Sequence, residues 1–125
     1  MEDIANMIQR FGQSQRASLA VTYNGTGYFA VTPNAPYDPE LSTAEQAVQL
    51  LKKADARLAE IGSGKDKLLF VAIILADIGD VADFNEVWDE WVAGIAPPSR
   101  ACFQSQLANP ALKVEMIMVC ASEAG

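Results

Sequence analysis

Apolar positions in this chain recur at two periods, and the switches between them lay out its elements. Two β-prone runs, Arg16–Tyr23 and Gly27–Pro33, flank Asn24-Gly25, and an Asn-Gly pair between such runs predicts a hairpin. Residues 34–42 carry two of the six prolines, which predicts a loop. From Ser42 the period becomes helical. Ala44, Ala47, Val48, Leu51, Leu58 and Ile61 form the apolar face, with Glu45, Gln49, Lys52, Lys53 and Arg57 outside it. Ser42 and Glu45 make a capping box, and Gly62 and Gly64 close a helix of roughly twenty residues.

The run Lys67–Ala76 is continuously apolar and rich in β-branched residues, which predicts a strand buried on both faces. Asp80 is positioned to cap a second helix reaching about Ala93, with Phe84, Val87, Trp88 and Trp91 as its stripe and Gly94 and Pro97 as its stop. Two strands, about Arg100–Leu107 and Val114–Ala121, follow, with the turn Ala108–Leu112 between them. If they form a symmetric hairpin, Glu115 pairs near Ser105 or Gln106, and Arg100 lies roughly 16 Å away at strand rise.

The order β-β-α-β-α-β-β predicts an α+β fold over residues 1–125, a single unit, with both helices on one face of a mixed sheet. Residues 1–15 read either as a short helix or as an irregular lead-in. Val114–Ala121 is apolar on both sides, so the second face of the sheet also needs a cover. Another copy of the chain, in a closed homo-oligomer, fits that need; the plainer alternative is that residues 1–15 fold across it.

Composition removes several functions. Sixteen carboxylates stand against nine cations, and no extended basic cluster exists, so nucleic acid is not an expected partner. Histidine is absent, which removes Ser-His-Asp and Cys-His catalysis and the usual zinc ligands; no metal and no cofactor is expected. The N-terminal segment is charged and lacks a long apolar core, and the longest apolar run is too short to span a bilayer. These features predict a cytoplasmic protein with reduced thiols and no membrane partner.

Arg100 follows Pro97 and Pro98 and shares a strand face with Cys102. A guanidinium there either grips a ligand carboxylate with its planar fork or pairs with a surface acid. Glu115 sits between Val114 and Met116 in an apolar strand. It either lines a pocket, orienting water or a ligand amine, or makes a structural salt bridge, with Arg100 as one available partner. Cys102 has no histidine or nearby lysine to activate it, so it reads as an inert thiol, and a Cys102–Cys120 disulfide is disfavoured by the compartment. Trp88 and Trp91 read as core; of Asp77, Asp80 and Asp83, a conceivable metal set, Asp80 and Asp83 are better explained as the cap and first turn of a helix.

Asp80–Asn85 before the second helix, Pro98-Ser99-Arg100, and Val114-Glu115-Met116 near the C-terminus together resemble the YjgF/Rid family, the reactive intermediate deaminases also called endoribonuclease L-PSP proteins. The resemblance runs from about residue 16 to the end. It implies a chorismate-mutase-like fold and a homotrimer, its sheets forming a barrel with clefts between subunits. It also implies hydrolysis of enamines and imines such as 2-aminoacrylate to 2-keto acids and ammonia. In that picture Arg100 binds the substrate carboxylate and Glu115 positions water. Cys102 lines the pocket and offers backbone hydrogen bonds, and Asn85 and Thr32 border the cleft. The sequence departs from the family at two places. No tyrosine stands in the N-terminal segment, where Gln13 or Ser18 falls, and the strand end reads Val31-Thr32-Pro33, whose proline has no N–H to donate. A binding or protein-interaction module of the same trimeric fold, holding a small carboxylate without turnover, is therefore the alternative expectation.

Overall fold

Six strands and two long helices build the chain in a computed structural model that describes residues 3–125. A short helix α1 (Ile4–Met7) leads into β1 (Gln9–Phe11), then β2 (Ala20–Tyr23), β3 (Thr26–Val31), α2 (Thr43–Glu60), β4 (Leu68–Leu75), α3 (Val81–Trp91), β5 (Ser99–Gln104) and β6 (Val114–Ala121). Short 3-10 turns, Lys65–Lys67 and Ile78–Asp80, precede β4 and α3.

Local chemistry sets most of these boundaries as the pattern predicts. Asn24 and Gly25 take φ of 52° and 80°, the left-handed pair that a two-residue hairpin turn requires. At the start of α2, Ser42 Oγ accepts from Glu45 N–H while the Glu45 carboxylate accepts from Ser42 N–H. Those bonds hold the Glu45 carboxyl below its usual range. The helix ends where Gly62, at φ 68°, turns the chain. Asp80 occupies the N-cap position of α3 but makes no capping bond. Its carboxylate instead accepts from Thr43 Oγ1 at 2.7 Å, which ties the first turns of α2 and α3 together.

The sheet runs β1-β2-β3-β6-β4-β5. All neighbours are antiparallel except β4 and β5, which are parallel. The expected hairpin of the last two strands is therefore corrected: β5 and β6 lie on opposite sides of β4. Two physical reasons explain it. A strand that leaves β4 through a packed helix returns parallel to it, and α3 is that helix. The strand with apolar residues on both sides, β6, takes the interior slot, while β5, mostly exposed, takes the edge.

The core lies between the sheet and the two helices. Val71, Ile73 and Leu75 of β4 and Val114, Met116, Met118 and Cys120 of β6 point into it, against Leu50, Leu51, Ala54 and Leu58 of α2 and Phe84 and Trp88 of α3. Among the described residues the other face carries no covering layer. Tyr28, Phe70, Phe103 and Ile117 are 43, 39, 46 and 44% exposed there, and register brings Tyr28, Val119 and Phe70 into one row and Ile117 and Ala72 into the next. The strand β4 is thus buried on one face within the chain, not on both. The lead-in, of which residues 1–2 lie outside the described residues, does not supply a cover either: β1 pairs beside β2 and lengthens the sheet.

Candidate functional site

Arg100 opens β5 opposite Val71, on the side of the helices. Its half-buried guanidinium lies 5.3 Å from the Trp88 ring centre and 5.9 Å from that of Phe84. Nη2 donates to Asn85 Oδ1 at 2.6 Å. The other N–H groups of the fork have no hydrogen-bond partner among the described residues, and no described carboxylate forms a salt bridge with it. A surface ion pair, the plain reading of this arginine, is not formed among the described residues.

Cys102 sits two residues on, on the same side, packed at the margin of the core. Burial pushes its thiol pKa up, against an opposing pull from the Arg100 charge, so the sulfur is a poor nucleophile. Both cysteines are free. Ser105 N–H bonds Leu75 C=O on β4. Strand alternation then turns the backbone groups of Arg100, Cys102 and Gln104 toward the open outer edge of β5. The edge beside Arg100 therefore offers unpaired N–H donors next to a cation.

Glu115 lies on the other face of the sheet. It pairs with Ile74 of β4, is half-buried, and has no hydrogen-bond or ionic partner among the described residues. Lys113, two residues earlier on the same side, is committed elsewhere: its ammonium donates to Leu41 C=O at 2.6 Å. Val31 pairs with Met116, so Thr32, the next residue, falls beside Glu115 on the open face. Thr32 Oγ1 and the Tyr37 hydroxyl are hydrogen-bonded at 3.1 Å. Pro33 is buried, and its carbonyl accepts from Lys53 Nζ on α2, which draws the chain off the sheet at that point.

The named residues therefore form two groups. Arg100, Asn85 and Cys102 cluster on the helix side of β5; Glu115 and Thr32 cluster on the open face. Along β4 the two charges stand opposite Val71 and Ile74, about 14 Å apart through the backbone at standard rise and spacing. Two surface cavities, of about 480 Å³ along the 104–112 loop and about 280 Å³ between α2 and α3, take in neither charge.

Residues 7–122 match the family described as Endoribonuclease L-PSP. A RutC family protein of Haemophilus influenzae is 41% identical over 113 residues, covering 90% of this chain and 96% of that protein. The RutC family protein YoaB of Escherichia coli is 36% identical, covering 91% and 97%. Among solved structures, a member of the YjgF protein family from Neisseria meningitidis superposes with a TM-score of 0.85 at 37% identity, covering 94% of this chain and 97% of that one. The chain belongs to the YjgF/RutC family.

In this YjgF-family chain two contributors escaped the sequence reading. Tyr37 lies in the proline-bearing loop after β3, where no periodicity marks it, yet its hydroxyl extends the polar row of Thr32 and Glu115. Gln46 lies on α2 among the apolar positions, polar by type and only 1% exposed. Its amide donates to Asp38 C=O and Ala111 C=O and accepts from Lys113 N–H. It thereby fixes the approach to β6 two residues before Glu115. Among the described residues no cluster of acidic or thiol side chains could hold a metal, and no described helix is long and apolar enough to cross a membrane.

Proposed function

We propose that this YjgF-family chain is an enamine and imine hydrolase acting on small 2-imino acids such as 2-aminoacrylate, with its site completed between copies of the chain in a homotrimer. One observation carries the reading: a half-buried guanidinium and a half-buried carboxylate, both without ionic partners among the described residues, stand on opposite faces of one sheet. Covering the apolar open face with a neighbour would bury Glu115 as well, and a buried carboxylate needs a cation or donors. The unpaired fork of Arg100 in another copy meets that need when a small acid lies between them.

The chemistry asks little of the protein. The enamine takes a proton on its terminal carbon and becomes an iminium. Water adds to the iminium carbon, and the resulting carbinolamine expels ammonia to leave the 2-keto acid. Arg100 holds the carboxylate by its planar fork, and Asn85 fixes that fork. Cys102 contributes the strand edge, and Thr32 borders the bound acid. Glu115 accepts a proton from the attacking water, placing negative charge where the iminium forms. The test is release of keto acid and ammonia from 2-aminoacrylate generated in the cuvette. The expected result is a rate well above the spontaneous one for the native chain and a background rate for Arg100→Ala.

A second reading, a carboxylate-holding or protein-interaction module without turnover, is favoured by one observation: Pro33 closes the end of β3 with its carbonyl committed to Lys53. It predicts a background rate in the same assay while pyruvate still raises the melting temperature. Ribonuclease activity, suggested by the family's description, fits neither the net charge of −7 nor the absence of histidine.

A further inference from the structure

Trp88 and Trp91 do more than fill the helix–sheet interface. Trp88 is 3% exposed, and its ring faces the Arg100 guanidinium at 5.3 Å. Trp91 packs on it with ring centres 5.5 Å apart. The Trp91 indole is held in turn: Nε1–H points at both carboxylate oxygens of Asp55 on α2, 3.2 Å from each. Lys65 grips the same residue, donating to its carbonyl at 2.7 Å with its ammonium 5.5 Å from the ring centre. An unbroken chain of contacts therefore runs from a surface carboxylate on α2 to the cation of the candidate site.

A guanidinium held by one hydrogen bond still swings about that bond. A ring face beneath it removes that freedom, because the planar ion lies on the negative face of the π system. Asn85 holds one edge of the Arg100 fork, and the rings of Trp88 and Phe84, centred 5.3 and 5.9 Å from the guanidinium carbon, limit its plane, the nearer being Trp88. Bidentate recognition of a planar carboxylate depends on both. We infer that Trp88, braced by Trp91 and through it by Asp55, is a positioning residue that sets the plane of the Arg100 fork for a carboxylate ligand.

The inference rests on the proposed function for its ligand but not for its geometry, and two readouts keep them separate. The first is the Nε–H resonance of Arg100 in 15N-arginine-labelled full-length protein, which an indole face shifts upfield. Trp88→Phe keeps a ring face and is expected to retain most of the shift; Trp88→Leu is expected to keep only the smaller part contributed by Phe84, whose ring centre is 5.9 Å away. The second is affinity for pyruvate. It is expected to weaken about fivefold in Trp88→Leu, with Trp88→Phe recovering most of the loss. Where 2-aminoacrylate is turned over, KM rises by a similar factor while kcat holds.

Asp55 is exposed, so Asp55→Ala leaves the fold intact even if Trp88→Leu does not fold. Asp55→Ala is expected to broaden or move the Arg100 resonance and to weaken pyruvate binding about twofold to threefold. An unshifted Arg100 resonance in the native protein, or one unchanged in Asp55→Ala, overturns the positioning role. A shifted resonance that responds to Asp55→Ala in a protein that binds no pyruvate leaves the positioning intact and overturns the proposed function instead.

Discussion

Arg100 and Glu115 flank the same strand on opposite sides, the one paired with Val71 and the other with Ile74, and an odd offset along β4 sends their side chains to opposite faces. No rotamer change within one chain reconciles them. A site using both draws them from different copies, and this makes complementation decisive. Arg100→Ala and Glu115→Gln chains, each inactive alone, are expected to regain activity when unfolded together and refolded. Random mixing restores about a quarter of the native sites if each site joins one residue from each of two neighbours. The measurement is keto-acid release from the mixture. A mixture no more active than its components shows that both charges serve the same chain's site, or that only one serves at all.

The open face supplies a second prediction. Ile117 sits near its middle, between Ala30 and Ala72, and is 44% exposed. Within the chain Ile117→Lys touches no packed core, so it should cost little intrinsic stability. Against a neighbouring copy it buries an unpaired ammonium. The expected result is a species of monomer mass in sedimentation, with an unchanged far-ultraviolet spectrum and background turnover. An assembly of native mass in that variant would mean that some other surface joins the copies.

Cys102 lies two residues from Arg100, and the nucleophile reading can be tested by pH. Burial raises its thiol pKa and the neighbouring cation only partly offsets this. The thiolate thus forms above the ordinary thiol range of about 8.5, and below that pH the sulfur is protonated. Turnover should show no rising limb near the thiol range. Cys102→Ser should stay within about threefold of the native rate, because the strand edge, not the sulfur, faces the ligand.

What the sequence discloses here is local. The Asn24-Gly25 hairpin and the Ser42–Glu45 cap are determined by adjacent residues, so the pattern predicts them and the fold contains them. Strand order is not local. The Asn109 turn before β6 is real, its side chain accepting from Ala111 N–H, but the turn does not make a hairpin, because β5 was already committed to β4 through α3. The two-sided apolar pattern of Val114–Ala121 did carry the information that β6 is interior. The types of residue at the candidate site were equally legible, an arginine after two prolines and a glutamate in an apolar run. The faces they occupy were not, since each depends on register with β4. Tyr37 had no legible signal, because a loop residue's neighbours are set by where the loop is drawn.

Gln46 gives the last prediction. Its buried amide satisfies two carbonyls and one N–H from two separate loops, at Asp38, Ala111 and Lys113. Gln46→Leu keeps most of the volume but removes three hydrogen bonds, leaving Ala111 C=O and Lys113 N–H unpaired and Asp38 C=O with only its 3.3 Å bond from Leu41 N–H. At about 1 kcal/mol each, the loss is about 3 kcal/mol, read as a lower urea midpoint at unchanged slope. Gln46→Glu separates hydrogen bonding from shape. The introduced carboxylate can still accept from Lys113 N–H, but when ionised it faces the carbonyls of Asp38 and Ala111 with no proton to offer. Its folded-state pKa is therefore raised above the unfolded value. That variant should be least stable at neutral pH and gain stability relative to the native chain as pH falls through the raised pKa. Equal stability of Gln46→Leu and the native protein would show that the approach to β6 is fixed by packing alone.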